Sequence, residues 1–549
     1  MHERARRCAG CFVGLLFIHF LWSPAYADHT ISDALRLRLE SAVSSQVDNV
    51  KGVGTSYPGE LLTFYEERQF VPVWVDNSGS KPLVVDFIEA LRNSAAHGLN
   101  PTVYLPDSSG LVDGATSRNL TILQLANLEL LLSDRFLQWS SDLLRGRVRP
   151  EKLYDQWQAT PRERDLVDVL RKAVAGTSFF ETAAMLVPQH IGYRRLVDAL
   201  ARYRLIQSAG GFMHVPSDST LRYGDSNPQV VVLAQRLIET GDLAISPDKL
   251  GPQFDDGLQQ AVMRFQARHG LDADGIVGPA TFTALNTSID DRIRQIVVNL
   301  ERWRWLPQEL GSRYLVVNIA GFYLDVIENE ASVLNMRVIV GKRYTKTPIF
   351  SETMTYLVVN PYWNVPASIA VKEILPKQRA DPKYLESQNM RVFSGWGDTS
   401  SAVDPSTVNW AEVSPSRFPY RFRQEPGSGN ALGRVKFMFP NRYNVYLHDT
   451  PTHSLFARSV RDFSHGCIRL ERPLDLAAYL LRDNLEWTPS RVQTATQDRT
   501  ESTIILKQAI PVHILYWTTW VDPDGTINFR DDIYNRDLRL SEALDSKIN

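Results

Sequence analysis

The densest group of reactive side chains in the sequence is Ser464-His465-Gly466-Cys467, followed by Ile468-Arg469 and preceded, nineteen positions before the cysteine, by His448. A thiol attacks a carbonyl as thiolate, and an ordinary pKa near ~8.5 leaves little of it ionised at neutral pH, so a nearby imidazole is the usual remedy. His448 ends a strand-like run, with enough chain before Cys467 to fold back beside the nucleophile. It is assigned as general base, forming an ion pair with Cys467 and later returning a proton to a leaving amine. Gly466 lets the main chain approach a substrate closely, which would aim the amides of Gly466 and Cys467 at a developing oxyanion. In an extended run His465 shares a face with Cys467, where it positions substrate or hydrogen-bonds the loop.

Weaker candidates surround this group. Tyr446 shares the strand face of His448 and lines the pocket or fills the core. Arg469 is placed to grip a carboxylate in a bidentate pair, or to pair with Glu471. Asp449 is a candidate orienter of His448, a role that the sequence does not separate from that of a backbone carbonyl. Trp363, with Tyr362, walls a groove or packs. Ser464 joins Tyr446, Trp363, Arg469 and Asp449 among the residues expected to line the substrate site. His448, His453, His465 and Cys467 are all capable of binding zinc, but structural zinc recruits several thiolates and catalytic zinc favours His with carboxylates. No metal site is therefore expected.

The elements that must position these groups follow from the chain's periodicities. Residues 1–27 read as a signal peptide: Arg4, Arg6 and Arg7 precede an apolar run from Cys11 to Trp22, and Ala25-Tyr26-Ala27 offers a cleavage site. The expected location is the periplasm, the alternative being an inner-membrane anchor formed by an uncleaved segment. Cys8 and Cys11 leave with the signal, so Cys467 is a lone exported thiol and no disulfide framework can form. A formal net charge of −2 gives no basic field for gripping nucleic acid phosphates, and 44% hydrophobic with 22% charged residues fits folded soluble domains.

The expected fold class is multidomain α+β. Residues 28–215 read as a helical scaffold, with three- and four-residue apolar spacing in Ala34 to Val43, Leu83 to Leu91 and Ile122 to Leu143. Its aromatic start, Phe64-Tyr65 to Phe70 and Pro72-Val73-Trp74, reads as a groove or, more often for such residues, as core. Residues 216–290 predict three short helices, ending at Gly241, Gly270 and Leu285. A linker, Asn299 to Pro307, leads to a mainly β catalytic domain at 300–530. Its strands are expected at Tyr314–Ile319, Phe322–Ile327, Met336–Val340, Thr355–Asn360, Val435–Phe439, Asn444–His448 and Pro511–Trp517, with a tight turn at Ala320-Gly321. A polar insertion at about 368–430 is expected to be a lid or cap, and 531–549 a C-terminal tail.

With His448, Ser464, His465, Gly466, Cys467 and Arg469 in place, the sequence resembles the YkuD-type L,D-transpeptidases, specifically their large multidomain periplasmic YcbB-like subgroup. Gly427 to Pro440 and Asn360 to Pro366 also resemble that subgroup, and the likeness spans about Thr30 to Asp532. Val262, Phe265, Gln266, Gly270, Leu271, Asp274, Gly275, Gly278, Thr281 and Leu285 resemble a small peptidoglycan-binding module. The resemblance implies two-step acyl transfer on peptidoglycan stem peptides, a donor tetrapeptide and an acceptor amine, giving links between third-position residues through a Cys467 thioester. It also implies covalent adducts with carbapenems, and chemistry that needs no metal or organic cofactor. Two other functions remain open: an L,D-carboxypeptidase using the same thiol with water as acceptor, and a non-catalytic peptidoglycan-binding scaffold that recruits other cell-wall synthases.

Overall fold

The computed structural model describes residues 30–44, 49–50, 53–105, 120–154, 161–246, 248, 250–395 and 400–546. The expected signal peptide lies outside the described residues. No helix among them is long and apolar enough to cross a membrane. The chain divides into two compact units, one of residues up to 82 with 108–134, the other of 83–107 with 135–549.

In the first unit, helix Ile31–Ser44 answers the expected periodicity of Ala34 to Val43, and a further helix spans Pro58–Glu67. The aromatic run is core: Phe64, Tyr65 and Trp74 are fully buried. They close over the buried Glu129 carboxylate, which accepts bonds from the Tyr65 hydroxyl (2.7 Å) and the Val73, Trp74 and Val75 amides (2.6–3.0 Å). Burying a carboxylate costs several kcal/mol unless it is paired or bonded, and four donors supply the compensation here.

In the second unit, helices Pro228–Glu239, Asp256–Arg268 and Pro279–Leu285 enclose a core that includes Val230, Leu233, Phe254, Val262 and Phe265. The buried Gln266 side chain explains several of the singled-out residues at once. Its amide donates to Asp274, the Ile276 carbonyl and Thr281, and its oxygen accepts from Gly275 N, which locks the turn before the third helix. The expected linker at Asn299 to Pro307 is instead mostly the buried end of helix Ile289–Arg304. Ile289, Ile296, Leu300 and Trp303 form its apolar stripe, and Arg304 pairs with Glu301 at 2.8 Å, both fully buried.

The strands expected in the region from 300 to 530 form a closed eight-stranded barrel. In order around the barrel, the strands are Val435–Met438, Leu447–His448, Ile468–Leu470, Ala331–Ile339, Tyr323–Glu328, Arg313–Asn318, Ser502–Leu515 and Phe350–Val359. Closure removes the exposed edges that an open sheet would present. Alternation sends Val435, Phe437, Leu447, Ile468 and Leu470 into the core, all fully buried. The expected tight turn at Ala320-Gly321 is closed by Phe322 in the left-handed region (φ 56).

The insertion is a folded cap. Strands Ala402–Val403, Met390–Ser394, Tyr420–Gln424 and Trp363–Asn364 form an antiparallel sheet in that order, and a core of Val365, Ile374, Leu375, Leu385, Val392 and Phe422 lies against it. It begins before the expected boundary, at Trp363. The expected C-terminal tail carries helix Arg536–Asp545, with Tyr534, Arg536 and Leu540 buried. Gly341, beside the nucleophile loop, sits where an added Cβ would strike the Thr345 carbonyl and come within 2.9 Å of Thr347 N, both rigid backbone. Gly341→Ala is expected to lower stability by about 1–3 kcal/mol in chemical denaturation and to slow Cys467 alkylation; an unchanged midpoint would refute this packing.

Candidate active site

Two rungs of parallel pairing build the site: Leu447 opposes Ile468, and His448 opposes Arg469. The Ile468 amide donates to the Tyr446 carbonyl at 3.1 Å, extending the ladder towards Cys467. Side chains alternate along strands, so while Leu447, Ile468 and Leu470 fill the core, Tyr446, His448, Cys467 and Arg469 share the opposite face. Lys436 pairs with His448 from the neighbouring strand and joins them.

His448 is 4% exposed, and its Nδ1 lies 2.5 Å from the carbonyl oxygen of Asp449. That acceptor requires a proton on Nδ1 and leaves Nε2 with its lone pair, as a base needs. The orienting group is thus the backbone carbonyl. The Asp449 carboxylate turns away, accepting from the amides of Thr450 (2.7 Å) and Arg434 (2.9 Å). Asp449 is buried and braces the loop, rather than lining a substrate site as expected.

Cys467 is half-buried, and its sulfur approaches the Asn444 carbonyl at 3.8 Å with no hydrogen bond to His448. Catalytic bonds are often long before substrate arrives. Burial pushes the thiol pKa up, opposed by hydrogen bonding from Tyr446 and by the Lys436 and Arg469 cations. Burial, then the Arg469 charge, with a smaller push from Lys436, drives the His448 imidazole down to about 3 against the pull of the Asp449 carbonyl. Both shifts oppose the expected ion pair in the substrate-free site. Two cations and a hydroxyl surround the sulfur, ready to hold the negative charge once it forms.

Lys436 was not anticipated. Its ammonium sits 3.9 Å from the centre of the Tyr446 ring, and burial lowers its pKa. Thirty-one positions separate it from Cys467 in sequence, and only the strand-like alternation of Val435 to Phe439 could have suggested it. Arg469 forms no salt bridge among the described residues. The suggested partner Glu471 is held by Arg337 (Nε to Oε1, 2.9 Å), and Arg469 Nε is buried without a bond.

Four other expectations need correction. The Gly466 amide donates to Ser464 Oγ at 3.1 Å, so it is engaged, while Cys467 N–H makes no hydrogen bond among the described residues. Gly466 takes φ +119, which breaks the extended run, so that His465 turns away from the sulfur side and its Nε2 meets Glu373 of the cap at 2.5 Å. Ser464 is buried and holds the loop, donating to the Cys467 carbonyl at 2.5 Å, and so does not line a substrate site. Trp363 packs against the cap core, with no contact to the thiol.

Three segments match known families: residues 59–200 the "Scaffold domain", 226–285 the "Putative peptidoglycan binding domain" and 312–506 the YkuD "L,D-transpeptidase catalytic domain". A Haemophilus influenzae protein named "Putative L,D-transpeptidase" is 34% identical over 258 residues, 47% of this chain and 51% of that protein. The chain thus matches about half the length of that curated relative. Among solved structures, an L,D-transpeptidase from Xylanimonas cellulosilytica is 17% identical (55% of this chain, 99% of that one, TM-score 0.18). One from Mycobacterium smegmatis is 13% identical (37% and 58%, TM-score 0.17).

The two cations should ease ionisation of the sulfur. Lys436→Met is expected to shift the pH dependence of Cys467 alkylation by iodoacetamide to higher pH, because a cation that favours the thiolate is lost. A superimposable profile would remove Lys436 from the site's electrostatics.

Proposed function

We propose that this chain, which carries an L,D-transpeptidase catalytic domain, is an exported cell-wall enzyme that cross-links peptidoglycan stem peptides through a Cys467 thioester. The carrying observation is the shared strand face of Tyr446, His448, Cys467 and Arg469, with Nδ1 of His448 tied to the Asp449 carbonyl. In the first step His448 Nε2 takes the thiol proton as Sγ bonds to the carbonyl carbon of the third stem residue. The bond to the terminal D-alanine nitrogen breaks, and that nitrogen leaves with the proton from His448. In the second, a diaminopimelate side-chain amine of another stem attacks the thioester and gives its proton to His448. The C–S bond breaks, the thiol is restored, and a link between two third-position residues remains.

Within this reading Cys467 N–H is the available main-chain oxyanion donor; removal of one such donor costs about 2.7–4 kcal/mol elsewhere. Lys436, Arg469 and the Tyr446 hydroxyl lower the cost of the thiolate, and the unpaired Arg469 suits a stem carboxylate. The module at 226–285 would hold the enzyme on its polymer, and the expected location is the periplasm. Muropeptide mass spectrometry after incubation with wild-type and Cys467→Ala protein tests the reading. Only wild type should yield cross-linked dimers, and His448→Ala should lose about 10²–10⁴-fold in rate. Dimers from both proteins would sink the mechanism, and trimmed tripeptides alone would make the chain a carboxypeptidase. A carbapenem should add one covalent mass to wild type and none to Cys467→Ala.

A further inference from the structure

A cavity of about 490 Å³ opens beside the segment that braces the nucleophile loop. Arg343, Lys346, Arg536, Arg539 and His465 line it with Tyr534, and no acidic side chain does. We propose that this cavity binds a small polyanion of phosphate or carboxylate type carrying at least two negative charges.

Arg536 carries the inference. It is 6% exposed, and its Nη1 is buried without a hydrogen-bond partner. The rings of Tyr516, Tyr534 and Tyr154 pack around its guanidinium at 5.0–5.6 Å. Its other terminal nitrogen reaches only the Thr347 carbonyl, at 3.4 Å. A buried guanidinium is ordinarily paired, and its planar fork matches oxyanions.

The nearby acids are engaged elsewhere. Asp532 accepts from the amides of Arg536 (2.8 Å) and Asp537 (2.7 Å) and from the Tyr516 hydroxyl (2.6 Å). Asp537 pairs with Arg302 at 2.7 Å, and Glu373 is taken by His465. Among the described residues, Arg343, Lys346, Arg536 and Arg539 form no salt bridge, and with Asp532 acting on Lys346 only at longer range the cavity keeps an excess of positive charge.

The site sits on the loop's own support. Thr345 and Thr347, flanking Lys346, donate to the carbonyls of Ser464 (3.1 Å) and Gly466 (2.9 Å). Lys346 itself donates to the Tyr534 carbonyl at 3.0 Å, leaving two ammonium protons for a ligand. Titration calorimetry on the full chain at fixed ionic strength tests the proposal, with pyrophosphate as the phosphate probe and citrate as the carboxylate probe. Saturable one-site binding of at least one probe is expected, and which one binds identifies the ligand's chemistry. Lys346→Gln and Arg539→Gln, both exposed and harmless to the core, should each weaken it tenfold or more, whereas Lys372→Gln on the cap should leave it unchanged. No saturable binding of either probe, or equal affinity in Lys346→Gln and Arg539→Gln, would overturn it.

Discussion

The candidate chemistry depends on the register of one short parallel ladder, Leu447–His448 against Ile468–Leu470. A slip of one residue would turn His448 into the core and Leu447 out. The register is held by apolar burial: Leu447, Ile468 and Leu470 are fully buried, at roughly 1.5–3 kcal/mol each. The hydrogen bond that orients the imidazole contributes only about 1 kcal/mol net. Barrel packing therefore sets the alignment, and the reactive groups are carried along on the reverse face. Parallel strands cannot be joined by a tight turn, which explains why the base and the nucleophile are so far apart in sequence.

That reverse face resolves an electrostatic conflict. Burial disfavours both the thiolate and the imidazolium, yet acyl transfer passes through a charged sulfur. Lys436 and Arg469 favour the anion and oppose a proton on His448, so they help one half of a proton transfer and resist the other. In the proposed mechanism the sulfur would ionise as the substrate closes the site, and the proton would move on to the departing nitrogen. A permanently ionised thiol would be more exposed to oxidation.

The residues most legible from sequence were those whose roles follow from type and spacing. Cys467 and His448 stood out in this way, as did the strand alternation around Leu447 and Phe437 and the helical stripes of the first three hundred residues. The misplaced ones turned on facts that periodicity does not encode. The direction of His465 hangs on the φ of Gly466, and the occupation of the Gly466 amide on a serine hydroxyl two residues away. Glu471 lay two residues from Arg469 in sequence, but the Ala331–Ile339 strand supplied Arg337 as its partner. Lys436 and Arg536 became visible only when distant strands and the last helix were brought together, since each is an unremarkable cation in its own stretch.

The carbonyl that holds His448 belongs to the peptide unit, not to a side chain. Point substitution at position 449 cannot delete that oxygen; it can only displace it by disturbing the carboxylate's anchoring bonds to Arg434 and Thr450. The tautomer of the base is in this sense shielded from ordinary genetic change. Mutational scanning would register the residue as a loop anchor and miss the dipole. Main-chain chemistry, such as isotope-edited infrared spectroscopy of a 13C-labelled carbonyl at 449, is the means that reaches it directly.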